Sequence, residues 1–343
     1  MLKEQLGPIA ADSTTRKVVE AWRRLSGGSQ RRDEDRRSLV ACSGGADSVA
    51  LALILASKAL PIVLGHIVHD FREESHTLAE RDLVAGLASR LGVGFCWRAV
   101  TVQKTPGNDE ANARKARYAQ LEDMALQEGC PFVLSAHHAN DQLETMLMAM
   151  LRGSGLAGMG GIAPQRPLGT RGIKLIRPML ATAHADCARL CALAEQPFAT
   201  DPTNADESRL RAALRHGPAA SLSTMRPAGL AKIAETAAQL RQAQDLVDTL
   251  AGELLKQAQR TPKSVIWERP TLAHAHRVIA GAALRLAFVS LHNGTRADRL
   301  TGRAVASVLD AIGRNNRQTR RFEWTGVQIV VGSDTVFLQR TQP

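Results

Sequence analysis

Residues 43–48 read Ser43-Gly44-Gly45-Ala46-Asp47-Ser48, two adjacent glycines among two hydroxyls and one carboxylate. Glycines let the main chain turn sharply and let an anion reach the amides without a Cβ in the way. A helical pattern follows, so free N–H groups and the positive end of a helix dipole point at the same place. Ser43 and Ser48 add hydroxyl donors. Asp47 puts negative charge into an anion site, which a divalent cation bridging Asp47 and a phosphate would reconcile. A glycine turn capped by an aspartate is the plainer interpretation. The strand–loop–helix setting favours the phosphate site. No Gly-x-x-x-x-Gly-Lys-Ser/Thr occurs, so the chemistry of P-loop kinases and GTPases has little support.

Four further stretches carry reactive side chains. His66-Ile67-Val68-His69-Asp70-Phe71-Arg72 ends a strand-like run, and ligands of open α/β sheets collect at strand carboxyl ends. His66 and Arg72 are therefore expected to face the nucleotide. Arg114 and Arg117 are three apart on a helical stretch that ends in Tyr118, and share a face suited to a phosphate whose charge shifts during transfer. His137, Asp141 and Glu144 follow another strand and are expected along one side of a helix, where two carboxylates could hold Mg²⁺ or a cationic amine. Asp201-Pro202-Thr203-Asn204 precedes Arg209, Arg211 and Arg215, a set suited to nucleic-acid phosphates. Each stretch also has a bland interpretation as loop histidines, solvated basic faces or first-turn acids.

The elements that must position these residues alternate. Short apolar runs over 39–42, 62–68, 93–102, 131–136 and 173–176 predict strands; helical spacing fills 49–57, 77–91, 109–128, 140–152 and 183–193. Such alternation implies βαβ units and a doubly wound parallel sheet. Residues 153–172, rich in glycine, read as a long functional or mobile loop. Residues 1–37 read as an extension with mixed-charge loop chemistry, 38–216 as the catalytic domain, 217–260 as a helical connector and 261–343 as a small basic domain containing Arg317 and Arg320.

Forty-four Lys and Arg against 33 Asp and Glu leave a charge of +11. That surplus attracts polyanions, although it also serves plain solubility. The five cysteines match no zinc or disulfide framework, which suits a reducing cytoplasm. No apolar run approaches the ~20 residues needed to span a bilayer.

The Ser-Gly-Gly-x-Asp-Ser loop resembles that of the PP-loop (N-type) ATP pyrophosphatases, and the remaining stretches narrow the likeness to the tRNA(Ile)-lysidine synthetases. They share the His-x-x-His-x-x-Arg stretch, the Ala-Arg-x-x-Arg-Tyr helix, the His-His-x-x-Asp-x-x-Glu-Thr segment, Arg177-Pro178-Met179-Leu180 and the Asp-Pro-Thr-Asn box, over about residues 38–216. The resemblance implies an adenine nucleotide alpha hydrolase-like fold and ATP with Mg²⁺. It implies two steps on the wobble cytidine of a CAU-anticodon tRNA(Ile): adenylation, then replacement of AMP by free L-lysine. By residue, it implies Ser43, Gly44, Gly45, Ala46, Asp47, Ser48, His66 and Arg72 at ATP. Asp47, Arg114, Arg117, His137, Asp141 and Glu144 fall in catalysis, with Asp47 and Glu144 at Mg²⁺. Asn204, Arg209, Arg211 and Arg215 fall to tRNA; Arg317 and Arg320, beyond the stretch that the resemblance covers, are expected at tRNA from the basic charge of the last domain. A homodimer is compatible with this picture. Asn140 and Ala212 depart from the family's usual Asp and Asn. A 2-thiolation enzyme of the same superfamily would need paired cysteines, a glutamine-dependent synthetase a glutaminase half, and a non-catalytic ATP- or tRNA-binding module no turnover.

Overall fold

Leu39 and Val40 are fully buried in a strand of only four residues, β1 (Ser38–Ala41). A strand apolar on both sides belongs in the middle of a parallel sheet. In the computed structural model β1 runs parallel to β2 (Ile62–His69) on one side and to β4 (Phe132–Leu134) on the other, with Leu39 opposite both Val63 and Val133. β3 (Gly94–Val100) extends the sheet beyond β2, and β6 (Ile173–Ile176) beyond β4. β5 (Gln165–Leu168) closes the edge antiparallel to β6. The order β3-β2-β1-β4-β6-β5 reverses direction between β1 and β4, which is the switch point where such sheets open a crevice. The structure describes residues 2–69, 74–100, 109–199, 210–226, 228–292, 300–314 and 318–341.

The helix after β1, labelled α3 (Ala46–Ser57), has no polar face: Val49 through Leu55 are all buried. A helix apolar all round must be covered all round. The sheet covers one side, and α1 (Leu2–Ala11), α2 (Ser13–Leu25) and α8 (His184–Leu193) cover others. Residues 1–37 are thus built into the first core, through Ile9, Val18, Val19 and Trp22. Asp12 caps α2 by accepting from the Thr14 amide at 2.8 Å. Arg189 on α8 donates to Asp12 at 2.7 Å across 177 positions of sequence. Trp22 Nε1 donates to Ser38 Oγ at 3.1 Å, tying α2 to β1. Arg36, within the run read as mixed-charge loop, is buried and donates to the carbonyls of Arg23, Gly28 and Arg31. Those bonds fold the 26–36 segment around a guanidinium.

The remaining helices of this unit are α4 (Glu74–Leu91), α5 (Asp109–Gln127), α6 (Ala139–Leu151), α7 (Leu156–Met159), α9 (Leu210–Leu214) and α10 (Ala220–Met225). Residues 153–172, expected as a loop, hold α7 and strand β5 instead. Their glycines hid this, because low propensity here is overridden by tertiary bonds. The buried Gln142 of α6 donates to Ile162 O at 3.0 Å and accepts from Ile162 N at 2.6 Å. The segment is pinned rather than loose.

By contacts the chain divides into two units, 1–239 and 240–343, and α11 (Gly229–Lys256) runs through the division. The second unit has a five-stranded antiparallel sheet of β7 (Gln259–Thr261), β8 (Ser264–Glu268), β9 (Arg320–Trp324), β10 (Val327–Val331) and β11 (Thr335–Arg340), in the order β7-β8-β11-β10-β9. Helices α12 (Arg269–His274), α13 (Arg277–Leu291) and α14 (Gly302–Gly313) complete it, around Trp267, Leu284, Phe288 and Ile329. No described helix is long and apolar enough to cross a membrane.

Trp22→Ala should cost the first unit about 3–5 kcal/mol in denaturant unfolding, as large core truncations do. A cost below ~1 kcal/mol would make α1 and α2 peripheral.

Candidate active site

Gly44 has φ +92°, a conformation that L side chains rarely adopt, and this lets the chain turn sharply out of β1. Gly45 then takes extended backbone and caps α3, so the helix starts at Ala46 and sets Asp47 and Ser48 in its first turn. The spacing of apolar residues placed that start three residues later. Ser48 Oγ is the hub of the loop. It accepts from Ser43 N at 3.2 Å, donates to Gly45 O at 3.0 Å and lies 3.3 Å from Ser43 Oγ. His66 on β2 is buried, and its Nδ1 lies 2.9 Å from Cys42 O. A carbonyl only accepts, so Nδ1 carries the proton. The loop opens onto a cleft of about 420 Å³ at the switch point. His66, Arg117, His137, Asp141 and Arg215 line the same cleft.

Beyond β4 the chain reaches the cleft again. Ser135 Oγ lies 2.8 Å from His137 Nδ1, and His138 is the N-cap of α6. Asp141 Oδ2 reaches back to accept from His138 N at 3.0 Å. His137 therefore precedes the helix instead of lining its side with Asp141 and Glu144. Burial, with the cations of Arg177, Arg114 and Arg211 around it, pushes the His137 imidazole down to about 4 despite Asp141 nearby. It is neutral near pH 7 and holds a proton weakly, which weakens the case for the general base expected there.

Asp47 is gripped by two imidazoles. His184 Nδ1, at the start of α8, is 2.7 Å from Oδ1, and His138 Nε2 is 3.4 Å from Oδ2. Burial alone would raise the Asp47 carboxyl, but the bonds to His138 and His184 outweigh it and hold it well below the usual carboxylate range. Burial would lower His138, but Asp47 and Asp141 raise it. The ligating atoms of Asp47, His138 and His184 lie within 4.8 Å of one another. Mg²⁺ prefers oxygen and keeps few protein ligands. Of these three side chains the Asp47 carboxylate is the donor that suits Mg²⁺, which would screen charge on a phosphate there.

Glu144, expected as a second metal or amine ligand, is turned to another use. Its side chain is 1% exposed, and Arg211 Nε and Arg215 Nε donate to its two oxygens at 2.9 and 2.7 Å. Arg211 also reaches Asp141 Oδ1 at 3.3 Å. Arg211 comes from α9, and Arg215 opens a π-helical turn over 215–219 that contains Pro218. Turns of that kind are frequent at functional sites. The Glu144 carboxylate holds the Arg215 guanidinium charged, raising it further. The two arginines expected at nucleic acid and the two carboxylates expected at an amine thus form one network.

Arg114 lies one turn from Arg117 on α5, and both guanidiniums stand over the Tyr118 ring. Arg320 begins β9 in the second unit. Arg72, Asn204, Arg209 and Arg317 lie outside the described residues. Sequence reasoning missed His138 and His184. His138 was legible as half of the His-His pair, whereas nothing local marked His184. Asn140, where the family's Asp was expected, accepts from His184 N at 3.0 Å and lies 3.4 Å from Ser223 Oγ. It supports the α8 start that carries His184.

Residues 14–219 match the model of the PP-loop domain family. The tRNA(Ile)-lysidine synthase of Methylobacterium nodulans is 34% identical over 289 residues, covering 81% of this chain and 83% of that protein. The tRNA(Ile)-lysidine synthase of Bordetella pertussis is 38% identical over 224 residues, covering 63% and 68%. Among solved structures, the U34-tRNA thiolase NcsA from Methanococcus maripaludis with its [4Fe-4S] cluster aligns with a TM-score of 0.49 and 19% identity, over 66% of this chain and 77% of that one.

The α6 network provides a test of its own. Glu144→Ala should cost about 2–3 kcal/mol in thermal unfolding, less than a wholly buried pair because both guanidiniums keep some water. An unchanged melting temperature would show that the network does not hold α9 to α6.

Proposed function

The chain belongs to the tRNA(Ile)-lysidine synthase family of PP-loop proteins, and from that premise we propose how its residues divide the work. The enzyme forms lysidine on tRNA(Ile) at the expense of ATP. The observation that carries the residue roles is that the 43–48 loop and the Ser135–Asp141 segment open onto one cleft at the β1/β4 switch point.

In the first step the C2 oxygen of the wobble cytidine attacks the α-phosphorus of ATP, and the bond to pyrophosphate breaks. The amides of Gly44 and Gly45 with the α3 N-terminus would hold the departing pyrophosphate. Bound Mg²⁺, held by Asp47 and phosphate oxygens, would neutralise charge on that leaving group. Arg117, which lines the cleft, and Arg114 one turn earlier would meet charge developing on the α-phosphate. His66 and His137, which line the cleft, would orient the nucleotide, His137 as a neutral imidazole.

In the second step the free lysine ε-amine attacks C2, the C2–O bond to AMP breaks, and the amine gives up a proton. An ammonium is no nucleophile, so the site must bind a cation and then receive a neutral amine. Asp141 lines the cleft and is the carboxylate suited to hold the ammonium. Glu144 would act through Arg211 and Arg215, as a positioning residue. Those two guanidiniums, each more than a third exposed, keep donors for a tRNA phosphate. Arg209, Asn204 and Arg72 by resemblance, and Arg317 and Arg320 by the basic charge of the last domain, would complete contacts to tRNA and nucleotide.

The decisive assay combines labelled lysine, Mg-ATP and a CAU-anticodon tRNA(Ile), and follows tRNA-bound label, AMP and pyrophosphate. All three should appear in step; ADP in place of AMP would overturn the reading. Asp47→Ala should slow pyrophosphate release by ~100-fold or more, the scale of losing one electrostatic stabiliser. Near-normal release would remove Asp47 from the mechanism. Asp141→Ala should raise the lysine KM by about 10-fold with the ATP KM little changed, as for one charge-assisted bond. Equal effects on the two KM values would refute its assignment to lysine.

A further inference from the structure

The chain has a single tyrosine, Tyr118, and it is surrounded by arginines. The guanidinium carbons of Arg166, Arg114 and Arg117 lie 4.7, 5.5 and 5.7 Å from its ring centroid. A guanidinium over an aromatic face is attracted by the ring quadrupole, so one ring can gather several cations. Arg177 adds a fourth. It is 3% exposed, donates to Ala163 O at 2.6 Å, and leaves its Nε without a hydrogen-bond partner. Among the described residues, none of these four arginines forms an ion pair with a carboxylate. Burial, with Arg166 and Arg114 nearby, depresses the Arg177 guanidinium against the opposing pull of the Tyr118 phenol. Burial would raise the Tyr118 phenol, yet the arginines lower it.

Like charges gathered without acids repel one another, and an anion is what relieves them. The geometry points to a second oxyanion site that takes a backbone phosphodiester of the RNA substrate, with Arg166 as its ligand, the buried charge of Arg177 behind it, and Arg114 and Arg117 across the Tyr118 ring on the nucleotide side. The position favours RNA over nucleotide. Arg117 and Tyr118 line the ATP cleft, but Arg166 sits on β5, the outer strand of the sheet, and does not line it. Arg166 stands outside the cleft that the 43–48 loop opens onto, so a phosphate reaching it comes from a partner that enters beside the nucleotide. Tyr118 is a positioning residue whose ring aligns the guanidiniums; Arg166 is a direct phosphate ligand. This rests on the proposed action on tRNA.

The test measures RNA and ATP affinity separately on the full chain. With Arg166→Glu, the Kd for a CAU-anticodon tRNA should rise about 10-fold and the salt slope should fall by about 1, as expected for one lost phosphate contact. The Kd for Mg-ATP should stay within about twofold of wild type. Tyr118→Phe should bind RNA as wild type does, and Tyr118→Leu should lose affinity as Arg166→Glu does. Because there is one tyrosine, a ¹³Cζ-tyrosine label gives one resonance. Its phenol titration should begin below the ordinary value and move upward when the tRNA binds. Wild-type RNA binding that Arg166→Glu leaves unaltered overturns this site alone. Loss of ATP affinity in place of RNA affinity gives the anion to the nucleotide and overturns it too. A wild-type chain that binds no tRNA sinks the functional reading and this site with it.

Discussion

A parallel sheet that reverses its winding direction must hold a pair of loops apart at the reversal, and everything reactive in this molecule depends on that gap. The chain leaving β1 turns toward β2, and the chain leaving β4 turns toward β6. No connection crosses the space between them. Two helices, α3 and α6, begin at that space, and each carries an aspartate in its first turn, Asp47 and Asp141. Main-chain amides are fixed donors that need no reorganisation when a phosphate arrives. Side chains only refine what the topology has already opened.

The refinement is electrostatic. Carboxylates in a phosphate site are tolerable only when each is matched. Asp47 is matched by two imidazoles, Asp141 by the α6 amide it caps and by Arg211, and Glu144 by Arg211 and Arg215. The pairs are layered by burial: Glu144 is sealed, Asp141 nearly so, and Asp47 keeps a face toward the cleft. Such a gradient separates groups that hold the scaffold from groups that can exchange partners when substrate binds. The thiols stay outside this traffic. Cys42, Cys187 and Cys191 are buried, and burial raises all three above the usual range, which suits core packing and not a sulfur relay.

Local patterns made the parallel sheet legible, because alternating runs of Val, Leu and Ile with helical stretches permit few topologies. The 43–48 loop was legible for the same reason: its glycines and its place between strand and helix are local facts. What could not be read were long-range partners. Glu144 looked like a ligand because its arginines sit some 70 positions later, and spacing along α6 says nothing about α9. His184 had no motif around it and gains its role only where α8 meets α3. The glycines of 153–161 suggested looseness, yet a single buried amide on Gln142 gives that stretch a fixed place. Arg36 was lost in a charged run, because nothing local separates a guanidinium that gathers carbonyls from one that faces water.

The bond between Asp12 and Arg189 has a temporal side. Translation makes α1 and α2 well before α8. Their seat on α3 follows them closely in the chain, but the latch to α8 waits for 177 further positions. Closure over so long a loop is slow, and until it happens the apolar faces of α1 and α2 are held by the nearer partner alone.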